Sequence, residues 1–164
     1  MELFRDKVFV FDLDYTIWPL WVDTHISPPV HPCSKGFADR NGQVFQCSGE
    51  TIDILLMLYD SRIPICYASR TEEKELAIEV LKIYKIRDDL TLFDIAKDIE
   101  IFPGSKVHHI HQIQKKLNVN CDDIYFFDDE YRNISDVQKL GVHSYIVNNC
   151  LTYNDFINAM NIHI

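Results

Sequence analysis

The chain has 164 residues, of which 47% are hydrophobic, and this length and composition predict one folded domain and exclude an intrinsically disordered chain. Its 16 lysines and arginines are outnumbered by 25 aspartates and glutamates, which gives a formal net charge of −9. Because binding to a phosphate backbone requires a basic surface, this charge argues against nucleic acid as a partner.

Five short segments rich in β-branched and aromatic residues predict buried strands, and the amphipathic segments between them predict helices. The strand segments are residues 7–12, 63–68, 99–102, 123–127 and 143–147. Helices are expected near residues 52–59, from a cap at Thr71 to residue 84, from a cap at Ser105 to residue 117, from residue 134 to a stop at Gly141, and from Thr152 onward. This alternation predicts an α/β fold with a mainly parallel sheet, whose ligands bind beyond the carboxyl ends of the strands.

Residues 17–49 interrupt the alternation after the first strand. Four of the six prolines fall in this segment, and Asn41-Gly42 within it is the dipeptide typical of a tight hairpin turn. Because such long connections in compact domains are usually functional, we expect a loop plus hairpin that overhangs the first strand. The sequence shows no repeat and no second domain, so residues 1–164 are expected to form a single domain.

The first four strands end in polar side chains that can carry chemistry: Asp12 and Asp14, Ser69, Lys106 shortly after the third strand, and Asp128 with Asp129. The carboxyl ends of parallel strands lie at one edge of a sheet, so these groups are expected to share one site. Ser69 can donate to a phosphoryl oxygen, and Lys106 supplies a positive charge that also favours the ionised form of Asp12.

This set of side chains matches the needs of phosphoryl transfer. Asp12 is the candidate nucleophile that forms an aspartyl phosphate, and Asp14 is the candidate acid that protonates the leaving oxygen and then activates water. The clustered carboxylates require a hard divalent cation, and oxygen ligands beside a phosphate favour Mg²⁺. Because adjacent strand residues point in opposite directions, only one of Asp128 and Asp129 should ligate the metal ion directly. We favour Asp129 as this ligand, with Asp128 in the second layer of residues around the ion.

Four longer segments carry these residues: FDLDYTIWPLWVDTH at 11–25, ASRT at 68–71, FPGSK at 102–106, and FFDDE at 126–130 followed by Arg132-Asn133. They resemble the four motifs of the haloacid dehalogenase superfamily of phosphatases, and most closely those of the magnesium-dependent phosphatase 1 family. The resemblance spans residue 8 to about residue 147.

The resemblance implies a Rossmann-like parallel sheet with strand order 5-4-1-2-3, a small hairpin flap and no large cap domain. It further implies that Mg²⁺ is held by Asp12, the main-chain carbonyl of Asp14 and Asp129, with Thr16 in support. Around the phosphate it places Leu13, Ser69, Arg70 and Lys106. Substrates associated with the family are phosphotyrosine and sugar-phosphate-type groups, including phosphorylated glycation adducts on proteins, so the partner expected here is a phosphorylated small molecule or phosphoprotein.

Several aromatic and imidazole side chains near these motifs allow two interpretations. Tyr15, Trp18 and Trp21 follow the candidate nucleophile and can either contact substrate or anchor the loop. His108, His109 and His111 follow Lys106, and we interpret them as a solvated helix face rather than a metal site.

Other functions on the same fold class fit the residues less well. In a receiver domain the acceptor aspartate would end the third strand, where this chain has Phe102-Pro103. A dehalogenase releases halide, which needs no proton, so Asp14 would have no role. A non-catalytic phosphate-binding or signalling module is the remaining alternative, and its expected signature, the substitution of Asp14, is absent.

The cysteine pattern and the apolar runs predict the compartment. Five scattered cysteines, an odd number without a CxxC pair, favour a reducing environment. The start of the chain lacks the features of a signal peptide, and no apolar run approaches the roughly 20 residues needed to cross a bilayer. We therefore expect a cytoplasmic monomer without a membrane partner.

Overall fold

The computed structural model describes residue 4 and residues 6–161, and places a five-stranded parallel sheet at the centre of an α/β fold. The strands in chain order are β1 (Val8–Phe11), β2 (His31–Cys33), β3 (Gly36–Ala38), β4 (Val44–Phe45), β5 (Ile65–Ser69), β6 (Lys85–Arg87), β7 (Leu90–Thr91), β8 (Ala96–Ile101), β9 (Ile124–Asp128) and β10 (His143–Ile146). The helices are α1 (Val22–His25), α2 (Gly49–Asp60), α3 (Lys74–Ile83), α4 (Lys106–Leu117), α5 (Tyr131–Gln138) and α6 (Tyr153–Asn161), and a 3₁₀ turn spans Cys121–Asp123.

The central sheet has the order β10-β9-β1-β5-β8, and its pairs are all parallel. This confirms the expected order 5-4-1-2-3 of the five main strands. Every residue of β1 is buried because helices cover both faces of the sheet, which explains why its sequence is a continuous apolar run. Phe11 pairs with Tyr67 on one side and Phe127 on the other, so β1, β5 and β9 end at the same level.

Two hydrophobic clusters cover the two faces of this sheet. On one face Phe9 and Phe11 pack with side chains of α2, α3 and α6. On the other face Val8 and Val10 pack with side chains of α4 and α5. The alternation along β1 therefore fixes which helices lie on which face, and leaves the carboxyl edge of the sheet open.

The insertion between β1 and α2 contains α1 and the three-stranded antiparallel sheet β2-β3-β4. A hairpin does form around Asn41-Gly42, but the predicted two-residue turn is wrong: Ala38 pairs with Val44, which leaves residues 39–43 in the turn. A tight type I′ turn needs positive φ at both central residues, and here Gly42 has positive φ (78°) while Asn41 does not. The Asp39 carboxylate accepts from the backbone N–H groups of Asn41 and Gln43 and stabilises the wider turn.

The hairpin packs on the body of the domain. The rings of Phe37 and Phe45 stack, and Phe37 meets the ring of Tyr84 edge-on at 6.4 Å. The backbone N–H of Cys47 donates to the Tyr84 hydroxyl over 2.6 Å. The insertion is therefore continuous with the larger hydrophobic cluster, and its α1 segment is the part that reaches the carboxyl edge of the sheet.

Of the three helix starts predicted at Thr71, Ser105 and Thr152, two agree with the structure and one differs. Ser105 caps α4 by accepting from the N–H of Val107, and Thr152 precedes α6, as predicted. The predicted cap at Thr71 is wrong, because α3 begins at Lys74 with Glu73 as its N-cap residue. The Thr71 hydroxyl instead accepts from the N–H of Glu73 and shapes the loop before the helix.

Some elements carry no clear signal in the sequence. The β6–β7 hairpin is two short strands with a register shift, and α1 is one turn long. Within residue 4 and residues 6–161, no helix has the length and apolar character needed to span a membrane.

Candidate active site

A cleft of about 310 Å³ lies at the carboxyl edge of the sheet, between the ends of β1, β5 and β9 and the first turn of α4. The residues that line it are Asp12, Asp14, Trp21, Asp23, Thr24, Ser69, Arg70, Thr71, Lys106, Asp129, Glu130, Arg132 and Asn133. The structure therefore brings together six of the nine residues selected from the sequence. Leu13, Thr16 and Asp128 lie behind the cleft wall, each fully buried.

Lys106 is the electrostatic centre of this site. Its side chain is 1% exposed, and Nζ donates to Asp12 Oδ1 over 2.5 Å and to the carbonyl oxygen of Ala68 over 2.5 Å. Asp128 Oδ2 lies 2.9 Å from the same ammonium. Burial alone would lower the pKa of Lys106, but the two carboxylates outweigh it, so the pKa is raised and the ammonium stays charged.

Asp12 is the residue directly after β1, and its backbone N–H donates to Phe127 O of the neighbouring strand. Burial raises the pKa of Asp12 well above its ordinary value, while the Lys106 ammonium opposes this effect and favours the carboxylate. Lys106 occupies one lone pair of Oδ1, which leaves Oδ2 to react and the second lone pair of Oδ1 to bind a cation.

The two carboxylates at the end of β9 differ in their surroundings. Asp128 is fully buried, and its oxygens accept from the Asn133 amide, at 3.1 Å each, and from the N–H of Glu130. Asp129 is half-buried at the cleft, and its pKa is raised to about 6, first by burial and then by the charges of Asp128 and Glu130. Asp128 is thus engaged with protein groups, whereas Asp129 faces the cleft.

The donor set at this point fits a magnesium ion. One carboxylate oxygen from each of Asp12, Asp128 and Asp129 lies within 4.8 Å of the others. These are hard oxygen ligands, and three carboxylates carry more negative charge than the single Lys106 ammonium can neutralise. Thr16 follows Asp12 by four residues, and its hydroxyl is buried and has no hydrogen-bond partner among the described residues.

Asp14 lines the same cleft and is held by donors from the loop that follows it. The indole Nε1 of Trp18 donates to Asp14 Oδ1 over 2.7 Å, and the N–H of Val22 lies 3.3 Å from both carboxylate oxygens. Burial raises the pKa of Asp14 to about 6 in spite of these donors. A carboxyl group with this pKa can give up and take back a proton near neutral pH.

Tyr15, Trp18 and Trp21, the three candidates for substrate contact, differ in their exposure to the cleft. Trp18 is fully buried beneath Asp14, so it does not contact a substrate. Trp21 is 50% exposed, lines the cleft and stacks on His25 with an interplanar angle of 6°. Tyr15 packs edge-on against Trp21 at 5.3 Å and supports it from behind.

Ser69 and Arg70 form one part of the cleft wall. Ser69 is 2% exposed, and its hydroxyl accepts from the N–H of Thr71 over 3.3 Å, which leaves its own hydrogen free to donate. Arg70 Nη1 donates to Asn133 Oδ1 over 3.3 Å and lies 3.7 Å from Glu130. Within the described residues Arg70 Nε is buried without a hydrogen-bond partner. The wall therefore offers donors suited to an anion.

Leu13 and Thr16 shape the loop between the two aspartates. The Leu13 side chain is in the hydrophobic core, and its carbonyl oxygen accepts from the N–H groups of Thr16, Ile17 and Trp18. Leu13 can therefore reach a phosphate with its backbone N–H alone.

The prediction that His109 lies on a solvated helix face is wrong. His108 and His111 are exposed as expected, but His109 is fully buried and contacts three backbone carbonyl oxygens. Lys106, His109 and Ile113 lie three and four residues apart, which places them on one face of α4. This spacing is the sequence feature that indicates a buried His109.

Comparison with known proteins gives a consistent result. The family model described as Acid Phosphatase matches residues 5–162. The chain is 44% identical over 137 residues to magnesium-dependent phosphatase 1 of Homo sapiens, covering 83% of this chain and 74% of that protein. It is 34% identical over 142 residues to a HAD-like hydrolase superfamily protein of Schizosaccharomyces pombe, covering 83% and 82%.

Solved structures show the same fold at lower sequence identity. A HAD family enzyme of Bacteroides thetaiotaomicron, in complex with magnesium and inorganic phosphate, superposes with a TM-score of 0.67 at 12% identity. The match covers 92% of this chain and 98% of that one.

Proposed function

Because the chain belongs to the Acid Phosphatase family and is a magnesium-dependent phosphatase of the haloacid dehalogenase superfamily, we propose that it hydrolyses phosphomonoesters through an aspartyl-phosphate intermediate on Asp12. The observation that carries this proposal is the placement of Asp12 between Lys106 and the open cleft, with Asp14 two residues away. A nucleophile, an acid and a cation are thus present at one edge of the sheet.

The first step uses the free oxygen of Asp12. Lys106 holds Oδ1 and favours the ionised form of Asp12, in which Oδ2 can attack phosphorus in line with the leaving oxygen. The hydroxyl of Ser69 and the guanidinium of Arg70 line the same cleft and would donate to the phosphoryl oxygens. The attack forms the Oδ2–P bond and breaks the bond between phosphorus and the leaving oxygen.

Asp14 donates a proton in the first step and accepts one in the second. Its protonated form donates to the leaving oxygen, and the resulting carboxylate then accepts a proton from the water that attacks the aspartyl phosphate. Hydrolysis regenerates Asp12 and releases inorganic phosphate. A pKa near 6 makes both forms of Asp14 accessible at neutral pH.

Asp12, Asp129 and the main-chain carbonyl of Asp14 would hold Mg²⁺, with Asp128 orienting the site from behind through Lys106 and Asn133. When bound, the ion supplies charge neutralisation for the phosphoryl oxygens. Three clustered carboxylates beside one lysine support this assignment, because their mutual repulsion is otherwise uncompensated.

The cleft favours a substrate in which the phosphate is attached to a flat or ring-shaped group. Trp21 presents a half-exposed indole at the rim, braced by His25 and Tyr15. Indole faces stack on aromatic rings and on the apolar faces of sugars. We therefore propose phosphotyrosine or sugar-phosphate-type groups, carried by a protein or a small molecule, acted on in the cytoplasm by a monomer.

Phosphate release from para-nitrophenyl phosphate, phosphotyrosine peptide, sugar phosphates and nucleotides tests the proposal, with wild type and Asp12→Asn compared with and without Mg²⁺. The expected result is release that needs both Asp12 and Mg²⁺, and incorporation of one ³²P label into acid-quenched wild type. If the folded protein binds Mg²⁺ and inorganic phosphate but releases none from any substrate, the non-catalytic phosphate-binding module would replace this proposal.

A further inference from the structure

His109 joins the two loops that carry the phosphate-facing side chains. Its imidazole is fully buried behind the cleft. Nε2 lies 2.9 Å from the carbonyl oxygen of Ser69 and 2.9 Å from that of Phe102, while Nδ1 lies 3.1 Å from that of Ser105. Ser69 ends β5 and Phe102 follows β8, so one ring nitrogen spans two neighbouring strand ends.

The partners of the ring define its tautomer. All three are carbonyl oxygens, which only accept and so favour N–H groups on the ring, while burial lowers the pKa of His109 and favours the neutral ring with one N–H. A hydrogen on Nε2 serves the carbonyls of Ser69 and Phe102, whereas a hydrogen on Nδ1 would serve only Ser105, the N-cap of the same helix. The Nε2–H form is therefore the one that links separate elements.

Further contacts make this junction rigid. The ring of Phe102 stacks on the imidazole with centroids 3.8 Å apart and an interplanar angle of 8°. The N–H of Phe102 also donates to the Ser69 carbonyl over 3.1 Å. Lys106 lies three residues before His109 on α4, one turn away. Movement of the imidazole would therefore displace both Ser69 and Lys106.

We infer that His109 is a positioning residue, whose Nε2–H sets the separation between the Ser69 hydroxyl and the Lys106 ammonium in the phosphate site. This inference rests on the proposed function. His109 does not line the cleft, so it acts through these two side chains.

The test uses two amide variants of different length and one control. His109→Gln can place an amide N–H near the position of Nε2, whereas His109→Asn is too short to reach it. His111→Asn changes an exposed histidine on the same helix. For each we would measure kcat and KM with para-nitrophenyl phosphate at saturating Mg²⁺, the Kd of inorganic phosphate, and Tm.

The expected result is a loss of about 100-fold in kcat/KM for His109→Asn, because displacements near 1 Å cost that much. Its phosphate affinity should fall in parallel, and His109→Gln should recover most of both. His111→Asn should match wild type. Wild-type kcat/KM and phosphate affinity in folded His109→Asn would overturn the inference, since a residue that serves stability alone would change only Tm.

A measurement on the unaltered protein decides the matter if the variants do not fold. Long-range ¹H–¹⁵N NMR of the imidazole is expected to show a hydrogen of His109 on Nε2, and a ring with its hydrogen on Nδ1 alone would contradict the inference. Failure of the proposed function can be distinguished from failure of this inference. If the proposed function fails, wild type releases no phosphate, but the phosphate affinities of the variants still test the role of His109.

Discussion

The indole Nε1 of Trp18 donates to Asp14 Oδ1 over 2.7 Å, and this bond ties the candidate general acid to a fully buried ring. An indole N–H donates and never accepts, so Oδ1 serves as the acceptor and the proton of a neutral Asp14 resides on Oδ2. The Trp18 ring therefore fixes both the rotamer of Asp14 and the oxygen that carries its proton.

Substituting Trp18→Phe tests this relationship. Phenylalanine keeps most of the buried apolar surface and removes the donor, which leaves Val22 N–H to hold Asp14. We expect kcat to fall about tenfold with little change in KM, a size typical of losing one oriented hydrogen bond worth about 1.4 kcal/mol. Steady-state kinetics well below the Tm of the variant measure the effect. Unchanged kcat in Trp18→Phe would show that Val22 is sufficient.

The two carboxylates at the end of β9 should separate in their effects on metal binding. Asp129 faces the cleft, whereas both oxygens of Asp128 accept from protein donors. We expect Asp129→Asn to raise the Mg²⁺ concentration for half-maximal activity about 10–100-fold or more, since it removes a direct ligand. Titration of activity with Mg²⁺, and calorimetry of Mg²⁺ binding, provide the measurement.

Asp128→Asn is the matched comparison. Its amide retains one oxygen acceptor but loses the charge beside Lys106, so the Lys106 ammonium should shift and kcat should fall at saturating Mg²⁺. A larger loss of Mg²⁺ affinity in Asp128→Asn than in Asp129→Asn would reverse the assignment of the direct ligand.

The sequence allowed prediction of those parts of the site that depend on chain direction and strand ends. Buried apolar runs identified the parallel strands, and a parallel sheet necessarily gathers Asp12, Ser69 and Asp129 at one edge. The predictions that were wrong concern the direction in which a side chain points and the hydrogen bonds within a loop. The sequence around a tryptophan after the candidate nucleophile is the same whether the ring enters the core or the cleft, and only the packed loop puts Trp18 in the core.

The turn in the insertion failed for a related reason. Asn41-Gly42 predicts a tight turn from two residues, but the structure widens it because the Asp39 carboxylate binds the N–H groups of Asn41, Gln43 and distant Ser27. The bond to Ser27 depends on a contact 12 residues away. Such tertiary bonds override local turn preference and are not encoded in a dipeptide.

Trp21 should control substrate choice without affecting the chemical step. Substituting Trp21→Ala removes the half-exposed indole at the rim of the cleft and leaves the Asp12–Lys106 pair untouched. We expect kcat/KM for phosphotyrosine peptide to fall about tenfold, since an aromatic stacking contact contributes roughly 0.5–1.5 kcal/mol. Acetyl phosphate, which carries no ring, should lose less than twofold and provides the control. Equal losses for both substrates would indicate that Trp21 supports the loop rather than the substrate.

The metal-free protein should become less stable as the pH rises through 6. The pKa values of Asp14 and Asp129 are about 6 in the folded chain against an ordinary value of 3.8, so folding favours their protonated forms. The stability gained from this preference is fully present below 3.8 and is lost as the pH rises through about 6, because both groups then ionise in a buried site.

Asp129→Asn isolates this effect from all other titrating groups. In EDTA, the Tm of Asp129→Asn relative to wild type should be higher at pH 7.5 than at pH 5, since the amide never ionises. Adding Mg²⁺ at pH 7.5 should raise the Tm of wild type more than that of the variant, because the ion binds the folded site and offsets the repulsion among the carboxylates. A Tm difference that stays constant between pH 5 and 7.5 would mean that the Asp129 carboxyl titrates alike in the folded and unfolded chain.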